Sequence, residues 1–191
     1  MSEITSRPIW GKLDPADQAS AHLVCAEGHG IEAVVAAFAG RDGLLSRATV
    51  VHVAPVGAAR PAGLGGAAYH RHPSRATALT AFRAHLARAK MGTQVHLAGS
   101  EAFLDEASAV AVACGIVGDG LTTELSGPAT RRVQCVHCKG MMDEVAVTPF
   151  ACSHCGINLT VRDHYSRRLG AFMGVCADAE APGVLPAASR F

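Results

Sequence analysis

The sequence predicts an α/β domain built on a parallel sheet, followed by a small β-ribbon held by four cysteines. Three observations carry that prediction. Short apolar strands alternate with helical stripes between about residues 20 and 125. A glycine turn, GHGIEA, opens the first helix directly after the first strand. CVHCKGMMDEVAVTPFACSHC then sets two C-x-x-C pairs within residues 135–155. Strand–helix alternation with strands apolar on both faces is the pattern of a parallel sheet covered by helices on each side. With 191 residues, 49% of them hydrophobic, the chain can bury one good core and carry a small appendage.

The elements follow in order. A polar arm, 1–19, is broken by proline. His22–Ala26 is a short apolar run that ends at glycines. Ile31, Val34, Val35 and Phe38 recur at helical spacing, and Gly40 stops the helix. Ala48–Ala54 is β-branched and ends at Pro55. The span from Gly57 to Pro73 is rich in glycine and proline and predicts a long surface loop that includes His70 and His72. Ser74 is placed to cap a helix with Leu79, Phe82 and Leu86 on one face, closed by Gly92. Gln94–Ala98 reads as a buried strand. Glu101–Cys114 reads as an apolar helix with Glu101, Asp105 and Glu106 in its first turns, where the helix dipole favours acids. Leu121–Leu125 is the last strand of the domain, and Ser126-Gly127-Pro128 the boundary. The division is therefore an arm (1–19), an α/β domain (20–127), a cysteine ribbon with a basic segment (128–176) and a tail (177–191).

Composition narrows the function classes. A formal net charge of +1 sets up no global field toward nucleic acid, and only 5% of residues are aromatic, too few for a base-stacking surface. The first residues lack the apolar core of a signal peptide, and no run of about 18 apolar residues predicts a membrane span. Cys25, Cys114 and Cys176 stand apart from one another. An odd cysteine total with no secretion signal predicts a reducing, cytoplasmic setting.

Cys135, Cys138, Cys152 and Cys155 are the predicted metal ligands. Each C-x-x-C turns two thiolates toward one point, and thirteen residues separate the pairs, room for two short strands and a turn. Gly140 and Gly156 fall where a knuckle often needs an unusual backbone angle. Four thiolates at a tetrahedral centre suit zinc first and a rubredoxin-type iron second. Four protein ligands leave no open position, so a zinc there organises structure and does not catalyse. His137 and His154 would be surplus as ligands and are expected to face solvent.

GHGIEA matches G-x-G-x-x-A at a strand–helix turn, where a helix N-terminus can hold a phosphate. Gly28 and Gly30, with Gly99 after a later strand, are therefore the candidate cofactor-binding positions. The acid that would hold a ribose is absent, since the second strand ends HVAPV, and a turn that binds nothing is the competing reading. The order HLVCAEGHGIEAVVAAF, ATVVHVA, QVHLAGSEAFLDEASAVAVACGI and LTTEL resembles the nicotinamide-binding domain of ferredoxin reductases. In that family a C-G-P-x-x-[FM] turn follows a later strand. Here Gly99 and Phe103 match it, while Ala98 and Ser100 replace the cysteine and the proline. The resemblance implies a Rossmann-like, reductase-type fold in degenerate form, kept for docking.

After the ribbon come Arg162, Asp163, His164, Tyr165, Arg167 and Arg168, then Phe172 and Met173. The run CSHCGINLTVRDHYSRRLGAFMGV, with CVHC upstream, resembles the small, DmmA-type subunits of dimethylamine monooxygenases and the related heme-dependent oxidative N-demethylases. That resemblance implies a subunit of a complex that oxidises a methylated amine to a smaller amine and formaldehyde, using oxygen and NAD(P)H. It implies heme, FMN and a [2Fe–2S] cluster on a heme-binding oxygenase subunit and a flavin/iron–sulfur reductase subunit. The chain itself has neither a C-x4-C-x2-C run for a plant-type cluster nor a C-x-x-C-H for covalent heme. An accessory subunit without catalytic residues of its own is the leading expectation, with Arg162, Asp163, His164, Tyr165, Arg167 and Arg168 as its interface. Guanidinium forks there would meet partner carboxylates or propionates. An active electron-transfer or NAD(P)H-binding subunit is the second reading, and a nucleic-acid-binding ribbon the third.

Overall fold

The computed structural model describes residues 9–166 and 168–191. They form two compact units, Trp10–Gly127 and Pro128–Phe191. The first holds β1 (Ala21–Glu27), α1 (Gly30–Phe38), α2 (Asp42–Leu45), β2 (Ala48–Val53), β3 (Ala68–His72), α3 (Arg75–Leu86), β4 (Thr93–Gly99), α4 (Glu101–Ala113) and β5 (Leu121–Leu125). Its five strands are all parallel, in the order β3-β2-β1-β4-β5. The chain therefore reverses its direction of winding between β1 and β4, the place where open α/β sheets form a crevice at the carboxyl ends of their strands.

Helices cover both faces. On one, Ile31, Val34 and Phe38 of α1 pack with Leu44 and Leu45 of α2 onto Val24, Ala26 and Val50. On the other, Phe82 and Leu86 of α3 and Phe103, Leu104 and Ala107 of α4 pack onto Leu23, Cys25, Val51, Val95 and Leu97. β1 and β4 are buried along most of their length because both of their faces meet helices. Ser74 caps α3 as the sequence predicts, its Oγ accepting from Thr77 N. Ser100, which the sequence did not mark as a cap, does the same for α4, its Oγ accepting from Phe103 N.

Three details differ from expectation. The Gly57–Pro73 segment is no surface loop throughout, since it contributes β3, the outermost strand. Alternation in AYHRH is half-buried and polar, so it carries no apolar signal. The segment also sends Leu64, fully buried, and Ala67 into the α1 core. Helix α3 ends at Leu86, and Gly92, at φ 87°, serves the turn into β4. Finally, the polar arm is used: Gly11 bridges to Glu124, whose carboxylate accepts from Leu13 N at 3.0 Å and meets Lys12 Nζ at 2.5 Å.

The second unit is larger than a hairpin. Its strands are β6 (Arg131–Cys135), β7 (Met141–Val145), β8 (Val147–Thr148), β9 (Phe150–Ala151), β10 (Asn158–Ser166), β11 (Ala171–Cys176) and β12 (Ser189–Arg190). Five of them form a sheet in the order β7-β6-β11-β10-β9, and β12 pairs with β8. Val133, Met142, Leu159, Val161, Tyr165 and Phe172 make a core that continues into Cys135 and Cys152. The tail thus returns to the sheet, where the Arg131 guanidinium lies between the rings of Phe172 and Phe191, 4.5 and 4.1 Å from their centroids.

Candidate metal centre

The two C-x-x-C pairs close as matching turns. Lys139 N donates to Cys135 O at 3.0 Å, and Gly156 N donates to Cys152 O at 2.9 Å. The residue after each second cysteine is left-handed: Lys139 at φ 63° and Gly156 at φ 76°. Gly156 is therefore glycine for the expected reason. Gly140 is not, because in the first knuckle the left-handed residue is Lys139. A Cβ on Gly140 would lie 2.4 Å from Cδ2 of His154, so a side chain there would displace a ring from the opposite knuckle.

The sulfurs converge from both pairs. Cys135 Sγ lies 3.8 Å from Cys155 Sγ, and Cys138 Sγ lies 3.7 Å from Cys152 Sγ. All four fall within 4.8 Å of one another. A disulfide needs about 2.05 Å, and all four cysteines are free. A tetrahedron with metal–sulfur bonds of about 2.3 Å has edges of about 3.8 Å. The cluster could therefore hold a metal ion. Its electrostatics favour a cation. Burial raises the Cys152 thiol, yet the N–H groups of His154 and Cys155 and the thiols of Cys155 and Cys138 outweigh it and hold Cys152 at about 6. At Cys155 the Ile157 N–H lowers the pKa, but burial and the three neighbouring thiols push it up to about 12. One thiolate forms readily, and its neighbours resist a second negative charge until a cation offsets the repulsion.

His137 is exposed. His154 is exposed too, but its Nε2 donates to Met141 O at 3.0 Å, so it braces the first knuckle from the second.

The residues after the ribbon divide into two sets. In the β10–β11 pair the register passes from Arg162↔Met173 to Tyr165↔Phe172, so Asp163 and His164 are two extra residues on β10. This bulge leaves Arg162, Asp163 and His164 exposed, with Arg168 and Met173 exposed on the same hairpin. Asp163 lies 3.7 Å from Arg131. Tyr165 is 5% exposed and packs its ring 5.1 Å from Phe172, so its side chain belongs to the core and not to the expected interface. Gly174 is excluded from larger residues by Val133, whose Cγ1 would stand 2.8 Å from a Cβ. Arg167 lies outside the described residues.

The candidate cofactor glycines have structural reasons, conformational at Gly28 and steric at Gly30 and Gly99. Gly28 turns at φ 51°. A Cβ on Gly30 would stand 2.2 Å from Ala98 O, which makes glycine the condition for α1 to lie on β4. A Cβ on Gly99 would stand 2.7 Å from the Phe103 ring. Sequence reasoning missed what fills the crevice beside them. Glu27, at the end of β1, accepts from Ser100 Oγ at 2.6 Å and from Arg75 Nε at 2.8 Å, and Arg75 also meets Glu106 at 3.4 Å. Beyond β2, Tyr69 OH lies 2.7 Å from His52 Nδ1, and His52 Nε2 lies 3.4 Å from Gly28 O. Burial holds His52 below the usual histidine range, with the Gly28 carbonyl opposing the shift. Arg60, in the segment after β2, donates to the carbonyls of Leu64, Gly65 and Ala67 and lies over the Tyr69 ring.

A parallel α/β unit joined to a curled sheet that carries a four-cysteine cluster able to hold a metal is the class this fold and site define. The chain belongs to the family of DmmA-like subunits of dimethylamine monooxygenase: the family's N-terminal domain matches residues 2–120 and its C-terminal domain residues 132–175. It is 36% identical over 178 residues to the "Heme-dependent oxidative N-demethylase delta subunit" of Ectopseudomonas mendocina (strain ymp), covering 92% of this chain and 90% of that relative. No solved structure matches it. Among the described residues, no helix is long and apolar enough to cross a membrane.

Proposed function

We propose that this chain is an accessory subunit of a heme-dependent oxidative N-demethylase complex, one that docks and holds partner subunits and leaves the redox chemistry to them. The observation that carries the reading is the closed cysteine cluster. Four thiolates at tetrahedral spacing use every position of a metal such as zinc and leave none for substrate. Cys135, Cys138, Cys152 and Cys155 would hold that zinc, which would cross-link the two knuckles and supply folding free energy on the order of 10 kcal/mol.

The α/β unit supports the same reading. Its strand order and glycine turn suit a Rossmann-like, reductase-type fold in degenerate form. Its switch-point crevice is occupied by Glu27, Ser100 and Arg75, and a cofactor phosphate there would meet the Glu27 carboxylate. Arg162, His164 and Arg168, exposed on the β10–β11 hairpin, are the docking groups toward carboxylates or propionates of a heme-bearing partner. Its relative's name, a delta subunit of a heme-dependent oxidative N-demethylase, supports a multi-subunit, heme-dependent setting. Flavin and iron–sulfur groups on the partners are part of the proposal.

The test is co-expression with the neighbouring subunits, followed by metal, heme and flavin analysis of the assembly and of this chain alone. One colourless zinc on the lone chain, no binding of NADH or NADPH by titration, and activity only in the assembly are the expected results. Iron with thiolate charge-transfer bands on the lone chain would replace this reading with an electron relay. Charge reversal at Arg162, Arg167 and Arg168 together should abolish assembly, and assembly left intact would remove the docking role of the hairpin.

A further inference from the structure

The net charge of +1 hides a strong asymmetry. Residues 43–100 contain seven Lys or Arg and no Asp or Glu, so the other ten basic residues share the chain with all sixteen acidic ones. The fold gathers much of the first group on one side of the α/β unit, because β2, β3 and α3 are all drawn from that segment. β3 is the outermost strand of the sheet, and α3 packs against β2, β1 and β3 and also against α4, whose Glu106 is met by Arg75.

Arg71 on β3, Arg83 on α3, and Arg88 and Lys90 just beyond it are all exposed. Among the described residues no carboxylate lies within ion-pair distance of any of them. Arg75, which the same segment supplies, is by contrast turned inward onto Glu27 and Glu106. The outward positions of α3 near these cations are small and uncharged: Ala76, Thr80, Ala84 and Ala87 are exposed. A cleft of about 340 Å³ opens at the end of α3, lined among others by Ser20, Thr49, His85, Arg88, Lys90 and Thr93. It offers hydroxyls and cations together, the donor set that receives a carboxylate.

We propose that the β3–α3 side of the α/β unit is a docking surface for an acidic face of another protein subunit, with one of that partner's carboxylates entering the cleft beside Arg88 and Lys90. This surface is distinct from the β10–β11 hairpin and rests on the reading of the chain as a docking subunit. Charge complementarity selects the occupant. Like charges with no carboxylate at ion-pair distance repel one another, and an anionic partner relieves that repulsion. A polynucleotide fits less well, because on β3 the Tyr69 ring is half-buried under Arg60 and the His70 ring already lies against His85, 5.2 Å between centroids.

The experiment measures the affinity of the zinc-loaded, full-length chain for the co-expressed partner subunits at several salt concentrations. Wild type, R83Q/R88Q/K90Q and a charge-preserving R83K/R88K/K90R chain are compared. Trp10 emission and the thermal midpoint check that each chain is folded. The neutralised chain should lose at least tenfold in affinity at low salt and show a flatter salt dependence, while the charge-preserving chain stays within about twofold of wild type. Equal affinity and equal salt dependence in wild type and the neutralised chain would overturn the proposal while leaving the accessory role standing. A wild-type chain that binds no partner at any salt would overturn both. Salt-dependent binding of labelled DNA or RNA, or self-association in sedimentation, that is lost in R83Q/R88Q/K90Q while partner affinity is unchanged would assign the surface elsewhere and overturn it too.

Discussion

His154 Nε2 stands 3.0 Å from the carbonyl oxygen of Met141, and the same ring leaves no space for a side chain at Gly140. Each contact runs from the second C-x-x-C turn to the backbone just beyond the first. The knuckles are therefore tied by protein contacts as well as by their sulfurs, and the tie fixes how the two pairs face each other. Metal ligands held in orientation by surrounding hydrogen bonds lose their ion more slowly than ligands left free to turn.

Gly140→Ala tests that tie. The new Cβ would meet the His154 ring at 2.4 Å. Because His154 is exposed, its ring can swing away, at the cost of one hydrogen bond worth about 1 kcal/mol. The substitution should lower the stability of the ribbon unit by about 1–2 kcal/mol and speed metal loss to a chelator. In a His154→Ala background the same change should cost clearly less. Chelator-release rates for the four chains of that cycle supply the check, and simple additivity would sink the tie.

Removal of a sulfur is far more severe. Cys152 is 3% exposed and lies in the ribbon core beside Leu159 and Phe150. If the cluster holds its proposed metal, Cys152→Ser should leave the ribbon unit unfolded, as should a chelator, because a bound ion would supply on the order of 10 kcal/mol of the unit's folding free energy. The α/β unit has its own core and should stay folded. Trp10, the chain's only tryptophan, packs against that core and reports on it separately. Unchanged Trp10 emission beside collapsed ribbon resonances in a proton NMR spectrum is the expected result.

The sequence displayed the parts whose signal is local. Ligand spacing marked Cys135, Cys138, Cys152 and Cys155, and their sulfurs do converge. A helical stripe marked α1, a stripe with the Ser74 cap marked α3, and an apolar run with acids in its first turns marked α4, since each of these signals is written within a few residues. Strand β3 was hidden because an edge strand has little apolar alternation to show. The bulge at Asp163 and His164 was hidden because it exists only relative to β11. Glu27 with Arg75 was hidden because residues 48 apart in sequence meet only once β1 and α3 are in place. Gly140 misled for the same reason: its constraint comes from His154 across the cluster, and no property of its own turn reveals it.

Leu64 gives the Gly57–Pro73 segment a measurable role. It is fully buried among the α1 residues, while Val56 nearby is 83% exposed. Leu64→Ala should cost about 2–4 kcal/mol through lost burial and a cavity. Val56→Ala should stay within about 0.5 kcal/mol. Urea unfolding followed by Trp10 emission gives both values. Equal effects would mean that the segment rides on the surface and anchors nothing.

Acid should weaken the α/β unit through its buried histidines. His96 is fully buried, with Nε2 3.0 Å from His22 Nδ1 and Nδ1 2.7 Å from Thr122 Oγ1. Burial, with the neighbouring His22 adding to it, lowers His96 to about 3. His22 is shifted the same way by burial and by Arg47 and Arg41, with Asp17 opposing. The sign follows from which state takes the proton. Below about pH 6.5 the unfolded chain protonates the His96 ring and the folded chain does not. The His96 contribution is therefore complete above that pH and is lost as pH falls toward 3, at a limit of about 1.4 kcal/mol per pH unit. Between pH 7 and pH 5 the unit should lose about 2 kcal/mol for His96 alone, with His22 adding to the loss. His96→Gln should be less stable than wild type at pH 7.5 and should lose less on acidification. Urea midpoints from Trp10 emission at pH 7.5, 6 and 5 measure both slopes, and a variant as steep as wild type would show that His96 takes up its proton in the folded chain.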